Sequence, residues 1–174
     1  MMNETLRVLK ERRSIRKYKA EQITDAELNA ILEAGTWAPT GMGLQSPLMV
    51  VVQDAETIAY LSKLNAEVMG KPGTDPFYGA PTVVIVLADG TVGNWLKDGS
   101  LVMGNLMNAA ASIGVGSCWI NRATEVFDKE EGKALLRKWG IDEKYRGVGK
   151  CILGYADGEA PVPKERKAGY IVRV

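Results

Sequence analysis

Gly99-Ser-Leu-Val-Met-Gly-Asn-Leu-Met-Asn-Ala-Ala-Ala-Ser-Ile-Gly-Val-Gly-Ser-Cys-Trp-Ile-Asn121 contains no charged residue. An uncharged run of that length is long enough to span a bilayer, so its composition decides between a membrane and a globular protein. Ser100, Asn105, Asn108, Ser112 and Ser117 dilute it, and Gly114 and Gly116 punctuate it before its end. The stretch therefore reads as the core of a buried helix from about Asn94 to Ile113, followed by a buried strand over Gly116–Ile120.

Other elements follow by working outward. The spacing predicts a first helix over residues 3–13, with Leu6, Val8 and Leu9 on a narrow apolar face. Thr24 and Glu27 form a capping-box pattern ahead of Leu28, Ile31 and Leu32, and Gly35 is a natural stop. Ala38 to Pro47 breaks both periodicities and reads as a loop. Leu48–Val52 is a short apolar strand, and Asp54 caps a helix from about Ala55 to Val68. Residues 70–80 carry three glycines and two prolines, a long connection of the kind that often forms a lid. Val83–Ala88 is a further strand. An amphipathic helix over Lys129–Trp139 stops at Gly140, and a strand follows over Val148–Gly154. The end of the tail, Tyr170–Val174, has strand propensity. This alternation predicts an α+β fold, a mixed α/β sandwich, in one domain over residues 1–174.

Composition narrows the chemistry. The chain has 174 residues, a net charge of +1, two cysteines and no histidine. The near-neutral charge gives no argument for nucleic acid or an anionic membrane as partner. Without histidine, Ser-His-Asp and Cys-His catalysis, HExxH sites and facial-triad iron sites are excluded, and no metal site is expected. Cys118 and Cys151 lie in apolar runs and read as inert core residues, as do Met103, Met107 and Trp119. Asp98 reads as an N-terminal cap or charge on the long helix. No GxGxxG follows a strand and opens a helix, so neither a dinucleotide-binding fingerprint nor a P-loop is present. The N-terminus lacks the apolar core of a signal peptide, and the chain is expected in the cytoplasm.

Two basic clusters remain. Arg12, Arg13, Ser14 and Arg16 fall at a helix end, where guanidinium forks match phosphate oxygens; a solvated helix end reads equally from spacing alone. Lys164-Glu165-Arg166-Lys167 sits near the other end of the chain and reads as a surface tail, unless the fold brings the two clusters together. Small residues between Pro39 and Pro47, with the amide of Gln45, would let a flat ligand approach the backbone, or simply connect two elements.

Taken in order, these pieces resemble the nitroreductase family over nearly the whole chain. Arg12-Arg13-Ser14-Ile15-Arg16-Lys17-Tyr18 is similar to the family's opening signature, and Ala38-Pro39-Thr40 to its Ala-Pro-Ser/Thr segment. Gln45 to Pro47 resembles its Gln-Pro, Asn105 to Ile120 its core helix and strand, and Lys164-Glu165-Arg166 its Lys-x-Arg. The pattern departs at Gly43, where many members have Asn, and at Ser46, which makes the pair Gln-Ser-Pro.

The resemblance implies a central mixed sheet flanked by helices and an intertwined homodimer binding FMN at sites built from both subunits. Arg12 and Ser14 would hold the FMN phosphate, with Arg13 a further candidate, and Lys164 and Arg166 would close on it. Arg16 would lie near N1 and O2 of the flavin ring as the catalytic residue. Pro39, Thr40, Gly41 and Gln45 would line the ring from the other subunit, Gly116 and Ser117 would approach it through their backbones, and Asn65 would bond the pyrimidine edge. The uncharged helix would pack against its partner copy, and the last strand would embrace the other subunit. The implied activity is a ping-pong oxidoreductase passing electrons from NAD(P)H through FMN to an acceptor such as a nitroaromatic or quinone. Alternatives on the same scaffold are a flavin-dependent dehalogenase, a flavin-destructing enzyme or a non-catalytic FMN carrier; a basic-ended interaction domain would bind no flavin.

Overall fold

The computed structural model describes residues 2–174. Its elements run α1 (Glu4–Glu11), α2 (Asp25–Thr36), β1 (Pro47–Val52), α3 (Ala55–Val68), β2 (Thr82–Asp89), α4 (Trp95–Ser112), β3 (Gly116–Ile120), α5 (Ala123–Phe127), α6 (Glu130–Lys138) and β4 (Tyr145–Gly154). A short 3-10 turn at Gly41–Gly43 lies in the loop before β1.

The strands form one sheet in the order β1-β2-β4-β3, antiparallel at every step. The parallel component expected of a mixed sheet is thus confined to a single bridge, Ser14 with Ser117, at the β3 edge. β2 is apolar from Val83 to Ala88 because both faces of the sheet are covered. Val83, Ile85 and Leu87 point to a layer with Leu61 and Leu64 of α3, Phe127 of α5 and Leu136 of α6. Val84, Val86 and Ala88 point to the opposite layer, with Ile31 of α2 and Val102, Met103 and Leu106 of α4. The period-two alternation of a strand sorts them in this way.

Local signals act as read from the sequence at several ends. Thr24 and Glu27 make both bonds of the capping box, and Asp54 accepts from the Thr57 N–H to cap α3. α4 ends at Gly114 (φ +80°), with Val115 N–H bonding Ala110 O and Gly114 N–H bonding Ala111 O, a Schellman turn that needs a left-handed residue. That turn delivers the chain into β3.

Three features differ from the sequence reading. α5 is an additional helix, entered through Arg122 in a left-handed conformation (φ 73°). β4 begins at Tyr145, because a bulge opposite Val86 and Leu87 lets Tyr145, Arg146 and Gly147 pair beyond it. Tyr170–Val174 forms no strand, and its apolar side chains are exposed. Strand propensity is realised only against an edge, and this tail meets none within its own chain.

No helix among the described residues is long and apolar enough to cross a membrane. A third of α4 is buried, yet Leu101 stays exposed and Asn105 and Asn108 only half-buried, leaving an outer face that is uncharged beyond Lys97 in the first turn.

Candidate active site

The N-terminal signature is laid along the end of the sheet. The Ile15 N–H donates to the Ser117 carbonyl (2.9 Å), the Lys19 N–H to the Tyr155 carbonyl (2.9 Å), and the Asp157 N–H to the Lys17 carbonyl (3.0 Å). The Tyr18 hydroxyl, in the core, donates to the Ile15 carbonyl at 2.8 Å. These bonds fix Arg12 to Arg16 against β3.

A cleft of about 220 Å³ results, lined by Arg12, Arg13, Ile15, Gly116 and Ser117 together with the end of α4. Two buried side-chain polar atoms among the described residues have no hydrogen-bond partner, Nη1 of Arg12 and Oγ of Ser117. Both belong to residues of this cleft. A buried donor left unpaired costs about 1–3 kcal/mol, so a guanidinium and a hydroxyl orphaned together suit an anionic, oxygen-rich ligand group. Arg13 is less free, because its Nη1 donates to the carbonyls of Lys10 (2.7 Å) and Arg12 (2.8 Å) at the end of α1. Ser14 stays half-buried beside them. Gly116 is small for a packing reason: a Cβ there would meet Gly154 O at 3.0 Å and Ile15 Cγ1 at 3.1 Å.

A second cleft, of about 390 Å³, is lined by Arg16, Met69, Lys71, Tyr78, Trp119, Ile120, Asn121 and Arg122. β3 joins the two, the rise from Ser117 to Asn121 covering roughly 13 Å. The exposed guanidinium of Arg16 and the ammonium of Lys71 make no ion pair among the described residues, whereas Arg122 bonds Glu125 at 2.7 Å. The long 70–80 connection contributes Lys71, Pro76 and Tyr78 to the wall. An elongated ligand with an anionic head and a flat, polar-edged ring matches this pair of clefts: the head at Arg12 and Ser117, the ring beside Arg16 and Trp119. The features of FMN fit these residues.

The Pro39–Gln45 loop lies elsewhere. Asp98, buried in the first turn of α4, accepts from the Gly41 N–H at 3.0 Å, and the Ser46 hydroxyl lies 3.5 Å from its other oxygen. Asp98 is therefore the acidic charge in the first turn of α4, one of the two roles that the sequence suggested, and a bolt for this loop as well; the cap position is Asn94. The Thr40 hydroxyl accepts from the Gln45 N–H at 3.0 Å. Pro39 and Gln45 are exposed, and Trp37 and Met42 beside them are 80% and 88% exposed. The loop is tied to Asp98 in the first turn of α4 and Ser117 lies beyond Ser112 at its end, so about 21 Å of helix separates them within one chain.

Two other expectations are not met within the chain. Lys164 and Arg166 lie on the exposed tail, where Arg166 bonds only the Lys164 carbonyl (2.9 Å), so they do not reach the Arg12 cleft. Asn65 is fully buried: its Oδ1 accepts from Lys150 Nζ at 2.8 Å and its Nδ2 donates to the Met69 sulfur at 3.3 Å. With both ends of its amide engaged in the core, Asn65 is not a wall residue of either cleft. Cys118 and Cys151 are free and buried, and burial pushes the Cys151 thiol up to about 12.

Sequence reasoning missed Lys71, Tyr78, Asn121 and Arg122 and assigned Trp119 to packing alone. The polar pair Asn121-Arg122 closing an apolar strand was a usable signal. Lys71 and Tyr78 had none, being single residues in a loop.

Comparison with known proteins identifies the family. The model of the Nitroreductase family matches residues 9–155. A nitroreductase from Bacteroides fragilis, crystallised with bound FMN, superposes with a TM-score of 0.91 at 33% identity, covering 99% of this chain and 100% of that one. A nitroreductase with bound FMN from Desulfitobacterium hafniense gives 0.88 at 30% identity, with 100% of both chains covered. A protein of Archaeoglobus fulgidus, provisionally named an NADH dehydrogenase/NAD(P)H nitroreductase, is 31% identical over 97% of this chain and 91% of its own length. The chain belongs to the nitroreductase family.

Proposed function

We propose that this protein is an FMN-dependent oxidoreductase that takes electrons from NAD(P)H and works as a homodimer, with a nitroaromatic or quinone as the class of acceptor. The observation that carries the reading is the pair of orphaned atoms, Arg12 Nη1 and Ser117 Oγ, on two residues that line one cleft. FMN, when bound, would supply the two-electron redox chemistry that links NAD(P)H to the acceptor in a ping-pong cycle.

The chain's own residues supply binding, orientation and charge. Arg12, Ser14 and Ser117 hold the phosphate end, with Arg13 stiffening the turn that presents them. Arg16 places a positive charge beside the ring, where it favours a more negative ligand. Trp119 and Asn121, in the wall of the second cleft, would hold the ring.

The homodimer reading is supported by what one chain leaves open. The outer face of α4 is uncharged from Leu101 onward, Trp37 and Met42 stand in solvent, and Ile171 and Val172 of the tail are unpaired. A two-fold partner would bring its Pro39–Gln45 loop over the Arg16 cleft and its tail, with Lys164 and Arg166, toward a phosphate site. This is how an isologous interface completes a site that is split within each protomer.

The test is the visible spectrum of the purified protein, followed by identification of the chromophore released on heating. Flavin bands, intact FMN and bleaching by NADH or NADPH in a stopped-flow mixer are expected. A colourless protein that does not bind added FMN overturns the reading, and a flavin that stays oxidised under NAD(P)H overturns its catalytic part.

A further inference from the structure

Lys150 is the one lysine of the described residues with no exposed surface. It lies on the central strand β4, paired with Ile85 on β2 and Ile120 on β3. Its side chain enters the apolar layer under α3 and α5, with the ammonium 5.8 Å from the Phe127 ring centroid and 2.8 Å from Asn65 Oδ1. A single neutral amide oxygen satisfies one of three N–H donors. Burying a charge so poorly compensated costs stability, and a methionine would fill the same space without that cost. Packing does not explain the residue.

Its surroundings lead to the ring cleft by three contacts. Ile120, its cross-strand partner, is a wall residue. So is Met69, whose sulfur accepts from the Asn65 amide. So is Arg122, which bonds Glu125, the carboxylate whose charge acts on Lys150. We propose that Lys150 is a positioning residue that acts on the ligand of this cleft from beneath its wall, its buried ammonium favouring the ligand state that carries more negative charge. The proposal rests on the FMN reading above.

The groups that face Lys150 are few. α3 presents the neutral amide of Asn65, β2 and β3 present Ile85 and Ile120, and α5 presents Phe127 and the charge of Glu125, with Arg122 beyond it. Burial pulls the ammonium down to about 7 against the opposing pull of Glu125, so both protonation states are accessible at neutral pH.

The charge balance gives the consequence. A hydride carries two electrons and one proton, so its transfer leaves NAD(P)+ as product and makes the cleft ligand one unit more negative. A Lys150 ammonium stabilises that state, and by reciprocity the more negative ligand strengthens proton binding at Lys150 by the same factor. Reduction then draws a proton from solvent onto Lys150 when the pH lies near or above its midpoint.

The experiment follows the 13Cε resonance of Lys150 in lysine-labelled protein across pH, in the apo form, with oxidised FMN and with dithionite-reduced FMN. Its assignment comes from the signal lost in Lys150→Met. The apo protein should show one lysine titrating near neutrality, rising by roughly half a pH unit or more with reduced over oxidised FMN. Lys150→Met should lower the affinity for reduced relative to oxidised FMN about threefold or more at pH 6, the same half unit seen from the ligand's side. Glu125→Gln, an exposed change that leaves the core intact, should lower the Lys150 midpoint; it provides the assignment if the methionine variant does not fold. A Lys150 midpoint indifferent to the redox state of bound FMN overturns the proposal alone. A protein that binds FMN in neither state overturns the proposal and the flavin reading together.

Discussion

The backbone N–H of Ile15 bonds the carbonyl of Ser117 at 2.9 Å, and this contact sets the Arg12 guanidinium and the Ser117 hydroxyl in one cleft. Both groups are buried in part without partners, so the free protein carries the cost of two unmade hydrogen bonds. A ligand with oxygen acceptors at this cleft recovers that cost.

That arrangement gives Ser117→Ala opposite effects on stability and binding. The substitution removes an unsatisfied buried hydroxyl, so the apo protein should be unchanged or up to about 1 kcal/mol more stable to urea. FMN affinity should fall by about 0.5–1.5 kcal/mol, the net worth of one hydrogen bond. Denaturation of the apo protein and a fluorescence titration with FMN give the two numbers. A loss of stability together with unchanged affinity would remove Ser117 from the site.

Arg12→Ala should weaken FMN binding by roughly 1.5–3 kcal/mol, the value of a hydrogen bond to a charged group. Riboflavin, which lacks the phosphate, should bind the variant and the parent alike. Equal losses for FMN and riboflavin would place Arg12 elsewhere than at the phosphate.

Asp98→Ala tests the bolt at the start of α4. The Gly41 N–H loses its carboxylate partner, and the Ser46 hydroxyl loses its neighbour. Stability should drop by about 1.5–3 kcal/mol. Amide exchange at Gly41 should accelerate in the folded protein. An unchanged exchange rate would mean that the loop is held by other contacts.

Much of this was legible in the sequence, for local reasons. Thr24 with Glu27, Asp54 and Gly114 act within a few residues of themselves, so their caps could be read directly. The uncharged run from Gly99 to Asn121 announced a helix and strand in the core. What escaped was non-local. Asp98 looked like a cap or a helix-end charge alone because its partners, Gly41 and Ser46, are more than fifty residues away. Asn65 looked available because nothing local marks Lys150, 85 residues on, as its partner. Lys71 and Tyr78 reach the ring cleft by the path of an irregular loop, which no periodicity encodes. The family resemblance put Arg12 at the phosphate but Ser117 at the ring edge, so their meeting in one cleft was not legible, because it depends on the Ile15–Ser117 pairing across a hundred residues.

The Lys150 ammonium also leaves a mark on stability. Burial lowers its folded pKa to about 7, below the ordinary lysine value of 10.5 in the unfolded chain. Between those values the unfolded state binds more protons, so stability rises with pH across this window. The gain is complete above the unfolded value and is lost as pH falls through about 7. The slope should reach at most about 1.4 kcal/mol per pH unit. Urea unfolding of parent and Lys150→Met at pH 7, 8 and 9 isolates it: the parent should gain on the variant at each step. Parallel curves would show that Lys150 keeps its proton throughout.

The division of the site between protomers can be tested by mixing. Within one chain about 21 Å of α4, from Asp98 to Ser112, separates the Pro39–Gln45 loop from the Ser117 end, and the proposed dimer would combine the loop of one copy with the Arg12 cleft of the other. One chain can carry Arg12→Ala and a second Thr40→Trp, which sets a bulky ring on the loop. In a mixed dimer, one site then receives both defects and the other receives neither. Unfolding and refolding the two variants together should therefore restore full FMN affinity to roughly a quarter of all sites, by random pairing of two-fold dimers. Refolding each alone should restore none. If the mixture binds no better than the separate variants, both groups act within a single chain, and the loop does not cross to a partner.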